Sequence, residues 1–282
     1  MTLTVTSKDG TTIGYRKIGT GPALVILHGA MEASHSHLQL ARALAGHFTS
    51  YLPDRRGRGA SGPFGDHYSL SREVEDLSAI LDESGAGLVL GVSSGAIITL
   101  RTALRRPDLR KAIIFEPPLS IDGSNDTAWV GRFDDQIARG DVTGALATGM
   151  KRTKMGPPIF HAMPDWLLKA MNAAMIAQQS RNAVAGEPTY RELAPTLHYD
   201  VRIVAESADS LGDYAAVDAD VMLLGGGKSP AYLKRALTAL EGVLPHAVRV
   251  ELAGLGHGAT GPANQGGKPE VVAREVRAFA AI

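Results

Sequence analysis

Residues 91–95 read Gly-Val-Ser-Ser-Gly, a serine with a glycine two positions away on either side. The apolar run Leu88-Val-Leu precedes it, and Ala96-Ile-Ile-Thr-Leu follows at a spacing that suits a helix. A strand that turns this sharply into a helix lifts the Ser93 hydroxyl clear of the sheet. Both glycines are needed, because side chains on either side of the serine would collide with the turn. The hydroxyl then sits near a helix N-terminus, where developing negative charge is favoured. Ser93 is therefore a candidate nucleophile. Serine is a weak nucleophile at neutral pH and needs a base to take its proton. Of the nine histidines, His257 lies in Gly254-Leu-Gly-His-Gly258, a flexible loop between the last strand pattern and the last helical one. His28 also follows a strand, but the Gly29-Ala30 after it suggests a different job. A backbone N–H of Ala30 or Gly29, paired with that of Ser94, can meet an oxyanion, and His28 itself is expected beside the substrate. His35, His37, His47, His67, His161, His198 and His246 read as surface or insert histidines. The pair His35-x-His37 has no third ligand nearby, so no metal site is expected.

These residues need a scaffold, and strand-like and helix-like segments alternate along the chain. That pattern predicts an α/β fold with a mainly parallel sheet and helices on both faces. Leu3–Thr6 and Thr12–Ile18 read as a hairpin around Asp9-Gly10. Ala23–Leu27 is continuously apolar, as in a strand buried on both faces. Further strands are expected at Thr49–Leu52, Leu88–Gly91, Ala112–Phe115, Val221–Leu224 and Ala247–Leu252. Helices are expected at Ser34–Ala45, Ser71–Ser84, Ser94–Arg106, Pro230–Val243 and Pro269–Ala281. The alternation breaks once, between residues 119 and 211, where only helical patterns occur. Residues 1–118 and 212–282 thus form the core and 119–211 a helical insert. The insert carries five of the eight Met and both Trp, Trp129 and Trp166. Such side chains suit a small core of its own, and equally an adaptable apolar wall over a pocket. Trp166 is expected to touch substrate there.

Composition narrows the classes. The 282 residues can bury a sizeable core, and 29 basic side chains balance 29 acidic ones, leaving no field for nucleic acid or an anionic membrane. With no Cys there is no disulfide, thiolate nucleophile or Cys-ligated zinc. The first 20 residues lack a basic start and an apolar run, and no apolar stretch approaches the ~20 residues of a membrane helix. A soluble, cytoplasmic protein is expected, and a homodimer is left open.

His28-Gly29 after a strand, Asp54-Arg-Arg-Gly-Arg-Gly-Ala-Ser61, the Ser93 elbow and Gly256-His257 together resemble the α/β-hydrolase fold family over the whole chain. The resemblance implies an eight-stranded, mostly parallel sheet with a helical lid inserted after strand 6, and the chain order nucleophile, acid, histidine. It implies an architectural role for Asp54 and Ser61. The family usually places its acid just past the seventh strand, yet no carboxylate occurs between Val221 and Leu240. Asp218 and Asp220 lie at the other end of that strand, roughly 15 Å from the catalytic edge at ~3.3 Å per residue. The family's alternative is the end of the sixth strand, where Glu116-Pro117-Pro118 supplies a stiffened carboxylate. The elbow and this glutamate further resemble lactone hydrolases of the zearalenone-hydrolase type. Gly225-Gly-Gly-Lys-Ser229 mimics a phosphate loop but has Met222 where a glycine is required, and reads as a turn. The implied reaction is cleavage of a small apolar ester or lactone through an acyl-enzyme by Ser93, His257 and Glu116, with no metal and no organic cofactor. The same fold serves carbon–carbon hydrolases, hydroxynitrile lyases, perhydrolases and ligand-binding receptors with little turnover. A serine at the elbow argues against the dehalogenases and epoxide hydrolases, which attack with an aspartate.

Overall fold

The computed structural model describes residues 2–124, 126–156 and 158–281. Eight strands form one sheet: β1 (Leu3–Thr6), β2 (Thr12–Gly19), β3 (Ala23–Leu27), β4 (Thr49–Pro53), β5 (Leu88–Val92), β6 (Lys111–Phe115), β7 (Asp220–Gly226) and β8 (Ala247–Leu252). Their order across the sheet is β1-β2-β4-β3-β5-β6-β7-β8. The hairpin β1/β2 and the pair β2/β4 are antiparallel, and all other pairs are parallel. The central strands β5 and β6 are buried almost throughout, which explains why they are uniformly apolar rather than alternating.

The helices are α1 (Leu38–Leu44), α2 (Leu70–Ser84), α3 (Ser94–Ala103), α4 (Val130–Ala138), α5 (Val142–Arg152), α6 (Pro158–Ala162), α7 (Asp165–Arg181), α8 (Tyr190–Leu193), α9 (Leu197–Glu206), α10 (Ala231–Glu241) and α11 (Pro269–Ala280). Leu40, Leu44, Val272 and Val276 of α1 and α11 pack on one face of the sheet. Leu77, Ile80, Ile97, Leu100 and Leu237 of α2, α3 and α10 cover the other. Among the described residues no helix is long and apolar enough to cross a membrane.

Four helices are shorter than their sequence patterns, α10 and α11 only at their ends. The expected Ser34–Ala45 helix divides into a 3₁₀ turn, Ser34–His37, and α1. The Ser34 N–H is donated to Asp54 Oδ1 at 2.7 Å, which ties that turn to the end of β4. Helix α3 ends at Ala103, short of Arg106. There the N–H groups of Arg105 and Arg106 both go to the Thr102 carbonyl, a tightened last turn ahead of Pro107. Between β6 and β7 the described chain forms helices α4 to α9 and no strand; positions 125 and 157 of this insert lie outside the described residues. It has two small cores, one around Trp129, Phe133, Ala145 and Val201 and one around Leu146, Ile176 and Ala194.

Candidate active site

Strands β5, β6 and β7 end side by side, because Val92 pairs with Phe115 and Phe115 with Leu224. The residues that follow, Ser93, Glu116 and the step Gly225-Gly226, therefore share one edge. Ser93 turns at φ 55° and ψ −121°, and Glu116 at φ 47°. A left-handed backbone costs a residue with a side chain about 1–3 kcal/mol and persists only where its surroundings fix it. Met31 (φ 59°) joins them, so three of the six such non-glycine residues among those described lie around this edge. The elbow is held by the Ser93 N–H, which donates to the Phe115 carbonyl at 2.8 Å. A Cβ at position 95 would stand 2.5 Å from the His28 carbonyl oxygen, so only glycine lets α3 approach the end of β3 so closely.

Glu116 is fully buried, and its two oxygens have separate partners. Oε2 accepts from His257 Nδ1–H at 2.6 Å, and Oε1 accepts from the Gly226 N–H at 2.6 Å. Here the glycine run of β7 finds its purpose. A Cβ at position 225 would lie 3.2 Å from Glu116 Oε1, and one at 226 would lie 2.5 Å from the Leu255 carbonyl oxygen. The end of β7 offers room and a donor where the family pattern places a carboxylate. With Nδ1 committed, Nε2 is the free nitrogen of His257. Among the described residues Ser93 Oγ has no hydrogen-bond partner, and both side chains line the same cavity.

That cavity has a volume of about 340 Å³. Leu146, Met150 and Val201 of the insert wall it, together with Trp129 and Tyr232. No Lys or Arg is among the described residues that line it, whereas Glu32, Asp126 and Asp200 are. Burial, followed by the charge of Glu116, raises the pKa of the Tyr232 hydroxyl and keeps it protonated. The two loop N–H groups, of Gly29 and Ala30, differ in their partners. The Gly29 N–H is donated to Glu32 Oε2 at 2.8 Å. The Ala30 N–H has no protein acceptor among the described residues, and the Ser94 N–H opens α3, where no intrahelical acceptor exists.

The profile of the alpha/beta hydrolase family matches residues 24–275. The chain belongs to this family. An alpha/beta hydrolase from Sphaerobacter thermophilus DSM 20745 is 32% identical, with 89% of this chain and 92% of that one covered and a TM-score of 0.74. The pimeloyl-[acyl-carrier protein] methyl ester esterase of Xanthomonas axonopodis pv. citri (strain 306) is 26% identical over 85% of this chain and 89% of its own. Epoxide hydrolase 2 of Siraitia grosvenorii is 33% identical, but the match spans only 39% of this chain and 37% of that protein. The enol-lactonase of Burkholderia xenovorans LB400, at 18% identity and a TM-score of 0.71 over 99% of this chain and 100% of that one, shares the fold.

Within this hydrolase several sequence expectations change. Trp166 stands on α7 with 71% of its surface exposed and is no wall of the cavity; Trp129 is. On α7 the buried residues are Leu168, Asn172 and Ile176, one stripe at four-residue spacing. Trp166 lies about 200° around the helix from Leu168, at ~100° per residue. His28 does not line the cavity either. Its ring is 1% exposed, with Nδ1–H donated to the Gly29 carbonyl at 2.9 Å and Nε2 accepting the Arg55 N–H at 3.1 Å. Burial, with Arg58 and Arg55 nearby, pushes the His28 pKa well down, so the ring is neutral. His37 is a buried residue and not a surface one. Asp54 and Ser61 are architectural by their bonds: Asp54 Oδ2 accepts the Ala60 N–H at 3.0 Å, and Ser61 Oγ accepts the Gly14 N–H at 2.9 Å.

Sequence reading also missed a buried ionic network under the insert. Arg55 Nη1 donates to Asp200 Oδ1 at 2.8 Å and to Ser94 Oγ at 3.0 Å, while Arg58 Nη2 donates to Asp200 Oδ2 at 2.6 Å. Ser94 Oγ itself donates to Asp200 Oδ1 at 2.7 Å, and Arg55 Nη2 reaches Glu73 at 2.8 Å. Burial raises the Asp200 pKa, but Arg58, Arg55 and the Ser94 bond more than offset it and leave the carboxyl below its usual range. The only signal in the sequence was an Arg-Arg-x-Arg run in a turn too polar to be spare. Its partner Asp200 lies more than a hundred residues away.

Proposed function

We propose that this hydrolase cleaves a small, uncharged carboxylic ester or lactone through an acyl-enzyme on Ser93. The observation that carries the reading is the bonded pair His257–Glu116 together with the strained Ser93 elbow, with Ser93 and His257 lining one apolar cavity. Ser93 Oγ attacks the carbonyl carbon as its proton passes to His257 Nε2. The imidazolium that forms is stabilised through Nδ1–H by Glu116. The N–H groups of Ala30 and Ser94 receive the oxyanion of the tetrahedral intermediate. His257 then gives its proton to the leaving alkoxide. A water molecule, deprotonated by the same imidazole, releases the acid and restores the serine.

The cavity wall supports the substrate class. No lysine or arginine among the described residues lines it to meet a substrate carboxylate, and two of its three carboxylates, Asp200 and Glu32, are already bonded to Arg55, Arg58 and His37. The insert between β6 and β7 serves as the lid, contributing apolar contact through Leu146, Met150 and Val201. The esterase and lactonase among the relatives and neighbours are in accord with this chemistry, and the elbow holds a serine where an attacking aspartate would be needed for epoxide opening. Hydrolysis of p-nitrophenyl butyrate tests the reading: the parent should turn over, and Ser93→Ala should lose at least about 10³-fold in kcat. Equal turnover by Ser93→Ala would overturn it.

A further inference from the structure

Within electrostatic reach of His257 stands a second carboxylate–imidazole pair, which the steps above do not use. His37 is 1% exposed, and its ring stands between two oxygens. Nε2 is 3.2 Å from Glu32 Oε2, and Nδ1 is 3.2 Å from the carbonyl oxygen of Thr260. A carbonyl oxygen and an ionised carboxylate can only accept, so both contacts are hydrogen bonds only if the ring carries two protons. In a neutral ring one nitrogen lone pair would face an oxygen lone pair. His28, on the same loop as Glu32, is the internal contrast, since its two nitrogens meet one acceptor and one donor and the ring is satisfied when neutral.

The pair joins three segments that the reaction needs in register. Glu32 Oε2 also accepts the Gly29 N–H, which fixes the loop that presents the Ala30 N–H. His37 belongs to the 3₁₀ turn Ser34–His37. Thr260 closes the 3₁₀ turn His257–Thr260, whose first residue is the catalytic imidazole. One carboxylate oxygen and one imidazolium thus connect the oxyanion loop to the histidine turn.

We propose that Glu32 and His37 form a positioning unit that sets the Ala30 N–H against His257, and that it works only while His37 holds both protons. The proposal rests on the Ser93 reading above, and both residues act through Ala30 and His257 rather than on the reacting atoms. Burial pushes the His37 pKa down, but Glu32 and the Thr260 carbonyl outweigh it and leave the group above its usual value. Burial raises the Glu32 pKa, and His37 together with the Gly29 N–H brings it below the usual carboxylate value. The charges around the pair are consistent with this. Glu32 faces His37 and also His257. His35 faces Glu187, Arg16, Asp54 and Glu32, and His28 faces Arg58, Arg55 and His37.

Two measurements test the unit. In protein carrying ¹⁵N-labelled histidine, with His37→Gln supplying the assignment, the His37 ring should hold two protons at pH 7 and lose one only at higher pH. Glu32→Gln and His37→Gln should each lower kcat for p-nitrophenyl butyrate about 10–100-fold with KM within about twofold. The double variant should be no worse than the weaker single, and both singles should lose the decline in kcat that the parent shows on the alkaline side. Glu32→Asp should recover part of the loss. A neutral His37 ring at pH 7 overturns the proposal. So does parent-like kcat and pH dependence in the two singles, whatever their melting temperatures. If the parent neither turns over ester nor reacts with a fluorophosphonate, the Ser93 reading has failed instead, and the NMR result still decides the state of the pair.

Discussion

Replacing Glu116 with Gln changes one oxygen to an NH₂ group and leaves the size of the side chain alone. The carboxylate accepts two hydrogen bonds, from Gly226 N–H and His257 Nδ1–H, each at 2.6 Å. An amide has one acceptor to offer. The Gly226 donor is a backbone N–H in a buried strand and cannot invert, and leaving it unpaired costs about 1–3 kcal/mol. The amide oxygen therefore stays on Gly226, and the NH₂ group faces His257. The imidazole answers by moving its proton from Nδ1 to Nε2, the atom that must accept the Ser93 proton. A wrong tautomer with intact geometry lowers kcat about 10⁴-fold in the serine-protease triad, roughly 5.4 kcal/mol of barrier. Glu116→Gln should accordingly retain about 10⁻³ to 10⁻⁴ of parental kcat with KM within a few-fold. Asp218→Asn and Asp220→Asn, at the far end of β7, should stay within about twofold, since surface changes away from the site do little. Steady-state hydrolysis of p-nitrophenyl butyrate, with melting curves for each variant, gives the comparison. Glu116→Gln retaining a tenth or more of parental kcat would refute the tautomer argument.

The cavity wall makes a contrast between two residues of the insert. Met150→Ala should shift the preferred acyl chain toward longer esters by about tenfold in kcat/KM, whereas Trp166→Ala, on the outer face of α7, should leave the chain-length profile unchanged. Gly226→Ala pushes a Cβ against the Leu255 carbonyl oxygen, so overpacking of about 1–3 kcal/mol should lower the melting temperature, and kcat should fall as the Glu116 bond is displaced. Acidity should act through His28. Its folded pKa lies well below 6.5, so the stability it contributes is complete above that value and is lost as pH falls toward the folded one. Urea titrations at about pH 6.5 and pH 5 should show a lower unfolding free energy at the acid end, and His28→Gln should narrow the difference.

The sheet was legible because its strands are short apolar runs bounded by turn residues. Counting along Val221–Leu224 likewise placed Asp218 and Asp220 at the opposite end of β7 from Gly226. The placement of Ser93, Glu116 and His257 at one edge was legible for the same reason: each directly follows a strand or its loop, so its position is fixed by local pattern. What the sequence hid was long-range or rotational. Trp129 and Trp166 are the same residue type in the same insert, and only helix phase separates them. The stripe Leu168, Asn172, Ile176 would have shown it, had the polar Asn172 not obscured the apolar face. His37 looked like a surface histidine because its partner Thr260 lies 223 positions away. Glu32 was within reach, three residues past Gly29, where a carboxylate can cap a loop N–H.

The most direct test of the account is to trap its covalent intermediate. The protein is mixed with p-nitrophenyl butyrate, quenched in acid within the first turnover, digested and mapped by mass spectrometry. A single butyryl group on Ser93, absent from Ser93→Ala and stoichiometric with the burst of p-nitrophenol, is the expected result. Acylation at Ser94 or at another residue, or turnover with a burst and an unmodified Ser93, would contradict it.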